Sequence, residues 1–256
     1  MRLHLHEWGD PEAPAVVCLH GITGHGLRFR RLAEERLAGR FRVLAPDLRG
    51  HGHSGHEPPW TFGTFVDDVL ETIDASGVDS AAWVGHSFGG RLALEIAAAA
   101  PERVERVALL DTAFHVLPHV ALFRAETVGE DYASPEEAVA ARLQTDPGSP
   151  REFVEEDVGQ HLELASDRTY RFRYCRSTAV SVYGELATQP PPPPPETLRV
   201  PVLIVHAPAF GLVREEHLAA YPDAEILAVP GGHMVYWDAW EQTADAVQRF
   251  LENASA

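Results

Sequence analysis

The chain is poor in cysteine. Its two cysteines, Cys18 and Cys175, lie far apart, Cys18 in an apolar strand pattern and Cys175 in a segment of different character. A disulfide framework is therefore not expected, and a reducing cytoplasm is the expected location. Neither thiol is expected to be catalytic, because a buried free cysteine is commonly part of the core packing.

Long apolar runs and an excess of basic residues are also missing. No apolar run approaches the length that crosses a bilayer, and no signal peptide is expected at the N-terminus. The formal net charge of −17 argues against nucleic acid or an anionic membrane as a partner. The 256 residues, 45% of them hydrophobic, fit one large α/β domain with an insertion.

Short apolar segments alternate with helical patterns along most of the chain. This alternation predicts a mostly parallel, doubly wound sheet covered by helices. Strands are predicted at residues 3–8 (an edge strand), 15–19, 41–45, 81–84, 104–110, 200–205 and 226–229. Helices are predicted at residues 29–37, 65–73, 91–100 and 237–251.

The alternation breaks between Thr112 and Arg199, where helical patterns carry scattered aromatic residues and no strand is evident. We therefore expect residues 1–111 and 200–256 to form the two parts of an α/β core, with residues 112–199 inserted between them as a helical cap. The six prolines at residues 190–195 favour a stiff polyproline II strut of roughly 19 Å that leads back to the sheet.

The most informative motif is Gly85-His86-Ser87-Phe88-Gly89. An apolar strand pattern precedes it and a helical pattern follows it, so Ser87 is expected on a sharp turn between strand and helix. Glycines allow the strand and the helix to approach closely at such a turn. The N-terminal amides of the helix would also favour negative charge developing beside the serine.

Three further motifs follow the order found in one large superfamily. They are His20-Gly21-Ile22 after an early strand, the loop from Asp47 to Ser54, and Gly231-Gly232-His233 after the last strand. With the Ser87 motif, the chain resembles the α/β-hydrolase superfamily over almost all of its length outside the cap. The resemblance implies that Ser87 is the nucleophile, that His233 is its base, and that the backbone N–H groups of Ile22 and Phe88 form the oxyanion hole. It implies no cofactor.

The acid of the expected triad departs from the commonest family pattern. The family usually carries it a few residues after the penultimate strand, where this chain has Phe210 and no acidic residue between His206 and Val213. Asp111, at the end of an earlier strand, is the preferred acid, an arrangement that resembles haloalkane dehalogenases. Alternatives that remain are Asp47, Glu215, or a Ser-His dyad without an acid.

Other side chains near these motifs are interpreted structurally. Asp238 is expected to hold loops together, and His86 to pack and hydrogen-bond locally. The histidines His51, His53 and His56 lie in a glycine-rich loop without a carboxylate or cysteine set, so no metal site is expected.

Serine at position 87, rather than aspartate, disfavours epoxide hydrolysis and dehalogenation. We therefore expect a serine hydrolase that cleaves a carboxylic ester of a small or medium apolar acyl group, with a small molecule as its partner. Lactone, thioester or carbon–carbon bond hydrolysis and perhydrolysis would use the same residues. A non-catalytic ligand receptor on the same fold is the alternative of a different class.

Overall fold

Seven strands form one mostly parallel sheet in the computed structural model, which describes residues 1–190, 192, 198 and 200–253. Their order is β1-β3-β2-β4-β5-β8-β9, and only the edge strand β1 runs antiparallel to its neighbour. This confirms the predicted α/β fold class. The strands are β1 Leu5–Trp8, β2 Ala15–Leu19, β3 Arg42–Pro46, β4 Ala81–His86, β5 Val104–Leu110, β8 Val202–His206 and β9 Glu225–Ala228.

Helices cover both faces of this sheet. Alternate residues of β2 show the two faces, because Val16 and Cys18 pack into one apolar cluster while Val17 and Leu19 pack into the other. The helices are α1 Arg30–Leu32, α2 Phe62–Asp74, α3 Phe88–Ala99, α4 Pro118–Thr127, α5 Pro135–Thr145, α6 Arg151–His161, α7 Arg176–Thr188, α8 Glu215–Ala219, α9 Val235–Asp238 and α10 Trp240–Glu252. Each described helix is too short or too polar to span a bilayer.

Two predicted helices differ in detail from the observed ones. The segment predicted at 29–37 is a 3-10 turn (Gly26–Phe29), then α1, then a π-helical turn (Ala33–Leu37). The closing helix is interrupted at Ala239, whose backbone leaves the helical region between α9 and α10. At this break the Asp238 side chain turns to the Gly232 N–H, a contact that sequence periodicity does not reveal.

Residues 112–190 add no strand to the seven-stranded sheet within the part of the chain that the structure describes. They do contain a small antiparallel hairpin of β6 Leu162–Leu164 and β7 Tyr170–Phe172. The expectation that this segment lacks strands was therefore wrong. The hairpin strands are only three residues each, too short to show a clear alternation in sequence. The predicted polyproline strut lies outside the described residues, apart from Pro190 and Pro192.

Buried Arg91 of α3 contacts both ends of the segment 112–190. Its guanidinium donates hydrogen bonds to the carbonyl oxygens of Phe114 and Pro190, at 2.6 and 2.7 Å, and its Nε donates to Glu95 at 2.7 Å. A buried cation needs such acceptors, since unpaired burial is costly. Arg91 therefore joins the start and the end of the segment to the helix that follows Ser87.

A second buried polar contact joins the middle of this segment to the core. Asp157 of α6 accepts a two-pronged hydrogen bond from Arg28, at 2.7 and 3.1 Å, and a further one from His25 Nε2 at 2.9 Å. Burial disfavours the ionised carboxylate, but the charge of Arg28 and the hydrogen bond from His25 outweigh burial. The pKa of Asp157 is held well below its usual range. Asp157 is therefore ionised at neutral pH.

We expect Asp157→Asn to lower the free energy of unfolding by about 3–5 kcal/mol at neutral pH, because Arg28 would remain buried without its counter-charge. Since the folded-state pKa of Asp157 is depressed, its stabilisation is present above the unfolded value of about 3.9 and is lost as the pH falls towards the folded-state pKa. The difference between variant and wild type should therefore shrink below about pH 4. Urea unfolding at several pH values measures it.

Glu155→Gln is the matched control, because Glu155 lies on the same helix and forms an exposed ion pair with Arg151. Its effect should stay within about 0.5 kcal/mol. Equal effects of the two substitutions would contradict a stabilising role for the buried pair.

Candidate active site

Ser87 lies on a strained turn between β4 and α3. Its backbone has φ 55° and ψ −117°, a conformation that non-glycine residues rarely adopt. The Ser87 N–H donates to the carbonyl oxygen of Leu110 at 3.0 Å, which ties the turn to the end of β5. The predicted strand–turn–helix setting of Ser87 is thus present, and α3 begins at Phe88, directly after the serine.

Gly89 explains how the turn fits against the neighbouring strand. A Cβ atom on Gly89 would lie 2.0 Å from the carbonyl oxygen of Leu19, at the end of β2. No real side chain tolerates that distance, so the close approach of α3 to β2 requires glycine.

His233 and Asp111 meet at the same edge of the sheet. Asp111 follows β5 and is fully buried, with a left-handed φ of 39°. Its Oδ2 accepts a hydrogen bond from His233 Nδ1 at 2.7 Å. Gly231, with φ 105°, allows the chain to turn before His233. The structure therefore brings together the base and the acid that the sequence suggested, 122 residues apart.

The other two candidate acids lie elsewhere. Asp47 accepts hydrogen bonds from the backbone N–H groups of Gly26 at 2.8 Å and His53 at 2.9 Å. Glu215 begins α8 and is exposed. Neither forms a hydrogen bond with His233, so Asp111 is the acid that the geometry favours.

The expected oxyanion-hole groups lie on either side of Ser87. Phe88 follows it directly, and a Cβ atom on Gly21 would lie 2.9 Å from Ser87 Cβ, which places the loop carrying Ile22 against the turn. Within the described residues, neither the Ile22 N–H nor the Phe88 N–H donates a hydrogen bond, and Ser87 Oγ forms none with His233. Such catalytic hydrogen bonds are often long without substrate.

His20 holds the loop that carries Ile22. Burial lowers the pKa of His20 well below its usual value, so the ring is neutral. Its Nδ1–H donates to the Gly21 carbonyl oxygen at 2.8 Å, while its Nε2 accepts from the Leu48 N–H at 2.9 Å. This histidine thereby links the Gly21 loop to the Asp47–Ser54 loop.

The histidines of the Asp47–Ser54 region do not share one ligand set. His51 is buried, whereas His53 lies beside His4, with ring centroids 5.0 Å apart. Among the described residues, the cluster with ligand-like spacing is His4, His6 and Asp47. Asp47 there already accepts hydrogen bonds from His6 Nε2 and two backbone N–H groups.

Sequence reasoning missed two contacts of His233. His86 was expected to hydrogen-bond locally, but its Nε2–H donates to the carbonyl oxygen of His233, far along the chain, at 3.0 Å. No sequence signal could reveal this contact, because the partner lies 147 residues away. The ring of Phe210 stacks on the His233 ring at a centroid distance of 4.9 Å. Its position where the family usually has an acid was the available signal.

Asp238 connects the loop that carries His233 to residues 112–190. Its Oδ2 accepts from the Gly232 N–H at 2.6 Å, and its Oδ1 accepts from Ser149 Oγ at 2.7 Å. Burial raises the pKa of Asp238, although both hydrogen bonds favour the ionised form. These contacts are those of a carboxylate that holds loops together.

The chain matches a known protein family. Residues 14–239 match a protein family whose description is "alpha/beta hydrolase fold". The chain belongs to the α/β-hydrolase family. The expected superfamily membership is thereby confirmed.

Relatives of this α/β-hydrolase cover nearly its whole length. It is 34% identical to "Lipase LipV" of Mycobacterium tuberculosis, over 91% of each chain. It is 26% identical to "Esterase YbfF" of Escherichia coli, over 93% of each chain. A solved structure titled "E-2-(Acetamidomethylene)succinate Hydrolase" superposes with a TM-score of 0.88 at 25% identity, covering 98% of this chain and 95% of the other. Esterases and lipases among the relatives support a hydrolase activity.

We expect Gly89→Ala to destabilise the fold by about 1–3 kcal/mol, because its Cβ would collide with the backbone of β2. Gly184→Ala is the matched control, since Gly184 lies within α7 and an added Cβ would meet no heavy atom within 4 Å beyond its chain neighbours and the backbone of its own helix. Alanine is the better helix former there, so this variant should gain about 0.5–1 kcal/mol. Urea unfolding compares the two, and similar stabilities would contradict the close-packing argument.

Proposed function

We propose that this α/β-hydrolase is a serine hydrolase that cleaves carboxylic esters through an acyl-enzyme. Ser87 is the nucleophile, His233 the general base and Asp111 the acid. The observation that carries the proposal is the 2.7 Å hydrogen bond between His233 Nδ1 and fully buried Asp111, beside a serine on a strained turn. The esterases and lipases among its relatives support the same reaction class.

The first half of the reaction acylates Ser87. A serine hydroxyl is a weak nucleophile unless a base removes its proton. Nε2 of His233 takes that proton as Ser87 Oγ attacks the ester carbonyl carbon, and the resulting oxyanion is stabilised by the N–H groups of Ile22 and Phe88. His233 then gives the proton to the departing alkoxide as the carbon–oxygen bond breaks. Water repeats these steps on the acyl-enzyme and releases the acid.

Asp111 stabilises the charged state of His233 in both halves. A carboxylate that accepts from Nδ1–H fixes the tautomer, leaving Nε2 free to act as base. Because Asp111 is fully buried, its charge acts on the imidazolium with little screening by solvent.

We propose that the ester substrate carries a small or medium apolar acyl group. This proposal is supported by Phe210, an apolar side chain that stacks on the ring of the proposed base His233. Residues 112–199 are proposed as a cap that selects the substrate, supported by the contacts of Arg91 and Asp157 that join this segment to the core. A cytoplasmic location stays a prediction from cysteine usage.

Ser87→Ala should abolish ester hydrolysis, because it removes the nucleophile and leaves the base in place. A p-nitrophenyl ester measures turnover and any burst of product, and a fluorophosphonate probe should label the wild type at Ser87. A panel of esters of increasing acyl length, lactones and thioesters then ranks the substrates. Activity retained by the variant, or no turnover and no labelling of the wild type, would contradict the proposal. The second result would favour a non-catalytic ligand receptor.

Asp111→Asn should lower kcat by about 10⁴-fold with little change in KM, since a neutral amide does not stabilise the imidazolium. Asp223→Asn is the matched control at an exposed aspartate and should leave kcat unchanged. Steady-state kinetics on one ester measures both variants. Turnover near the wild-type value in Asp111→Asn would remove Asp111 from the triad and favour a Ser-His dyad.

A further inference from the structure

Phe210 lies in a tight turn directly after β8. Its N–H donates to the Ala207 carbonyl oxygen at 3.1 Å, and Gly211 continues the turn with φ 77°. Phe210 is 42% exposed, yet its ring lies nearly parallel to that of His233, with an interplanar angle of 15° and a centroid distance of 4.9 Å. The two rings therefore form a stacked pair, with a centroid distance in the range of attractive aromatic contacts.

The carboxylate of Asp111 orients both partners of this stack. Its Oδ2 accepts from His233 Nδ1 at 2.7 Å, while its Oδ1 accepts from the Ala207 N–H at 3.3 Å. Ala207 is the first residue of the turn that carries Phe210. Asp111 therefore holds the Nδ1 edge of the His233 ring. Through the turn, it also positions the Phe210 ring that stacks on one face of the imidazole.

We propose that Phe210 is a positioning residue for His233, which restrains the imidazole ring and stabilises its protonated form. The inference rests on the proposed function of His233 as general base. At the position where the family usually has an acid that binds Nδ1 of the histidine, this chain has Phe210, whose ring acts on the face of the imidazole.

Two physical effects support this role. Rotation of His233 about its Cβ–Cγ bond would break both the stack and the hydrogen bond to Asp111, so the stack narrows the range of orientations of Nε2. When His233 is protonated during the reaction, the face of Phe210 also attracts the positive charge. Both effects act in the transition state, where the imidazolium forms, and so favour kcat.

Other ionisable groups act on His233 and remain unchanged when Phe210 is replaced. They are Asp111 after β5, His86 at the end of β4 and Asp238 in α9. His206, at the end of β8, lies near Asp111. Burial lowers the pKa of His86 well below its usual value, so His86 is neutral. The two carboxylates favour the imidazolium in wild type and variant alike. A difference in apparent pKa between the wild type and the variant therefore reports the loss of the aromatic ring.

Phe210→Leu should lower kcat by about 10-fold and shift the apparent pKa of kcat/KM downward by roughly half a unit. The apparent pKa falls because leucine has no aromatic face to attract the protonated His233 ring. Steady-state kinetics from pH 5 to 9 on a p-nitrophenyl ester, with the pKa of kcat/KM reporting the free enzyme, measures both. Phe210→Tyr keeps the aromatic face and should restore both kcat and the pKa.

Phe123→Leu is the matched control, because Phe123 is a 59% exposed phenylalanine on α4. It should leave the apparent pKa unchanged. An unchanged pKa and kcat in Phe210→Leu would overturn the inference, and so would a change in KM alone, which indicates contact with the substrate. If Ser87→Ala retained activity, the proposed function would fail. If Ser87→Ala were inactive and Phe210→Leu normal, only the present inference would fail.

Discussion

The buried carboxylate of Asp111 connects three segments of the chain at the edge of the sheet where parallel strands end. It follows β5, binds the His233 ring with one oxygen, and accepts the Ala207 N–H with the other. A buried charge requires such partners, since its desolvation is otherwise costly. The positions of His233 and of the turn that carries Phe210 therefore both depend on one side chain, and on the register of β5 beside β4 and β8.

Residues 112–190 are joined to the rest of the described chain by arginine at two separate places. Arg91 contacts the start and the end of this segment, and Arg28 pairs with Asp157 in its middle. The chain contains no lysine, so its permanently charged basic side chains are all planar guanidinium groups, which suit buried paired contacts better than an ammonium group does. Arg91 lies on α3, which begins directly after Ser87. The same helix therefore holds residues 112–190 and positions the serine.

Much of the fold and of the candidate site could be predicted from local patterns. Seven strands and the turn at Ser87 follow from apolar alternation and glycine spacing, because each is determined within a few neighbouring residues. The hairpin of β6 and β7 and the break at Ala239 escaped prediction. The first is too short to show a period, and the second coincides with Asp238 reaching back to Gly232.

The sequence by itself determined the sheet of an α/β-hydrolase, the strained turn at Ser87, and the short set of residues from which the proposed base and acid come. Only the tertiary structure showed which of Asp111, Asp47 and Glu215 forms a hydrogen bond with His233, placed His86 against the His233 carbonyl, and stacked Phe210 on the His233 ring. The physical reason is distance along the chain. These contacts join residues that the parallel sheet brings to one edge, and a linear pattern holds no record of which of them meet there.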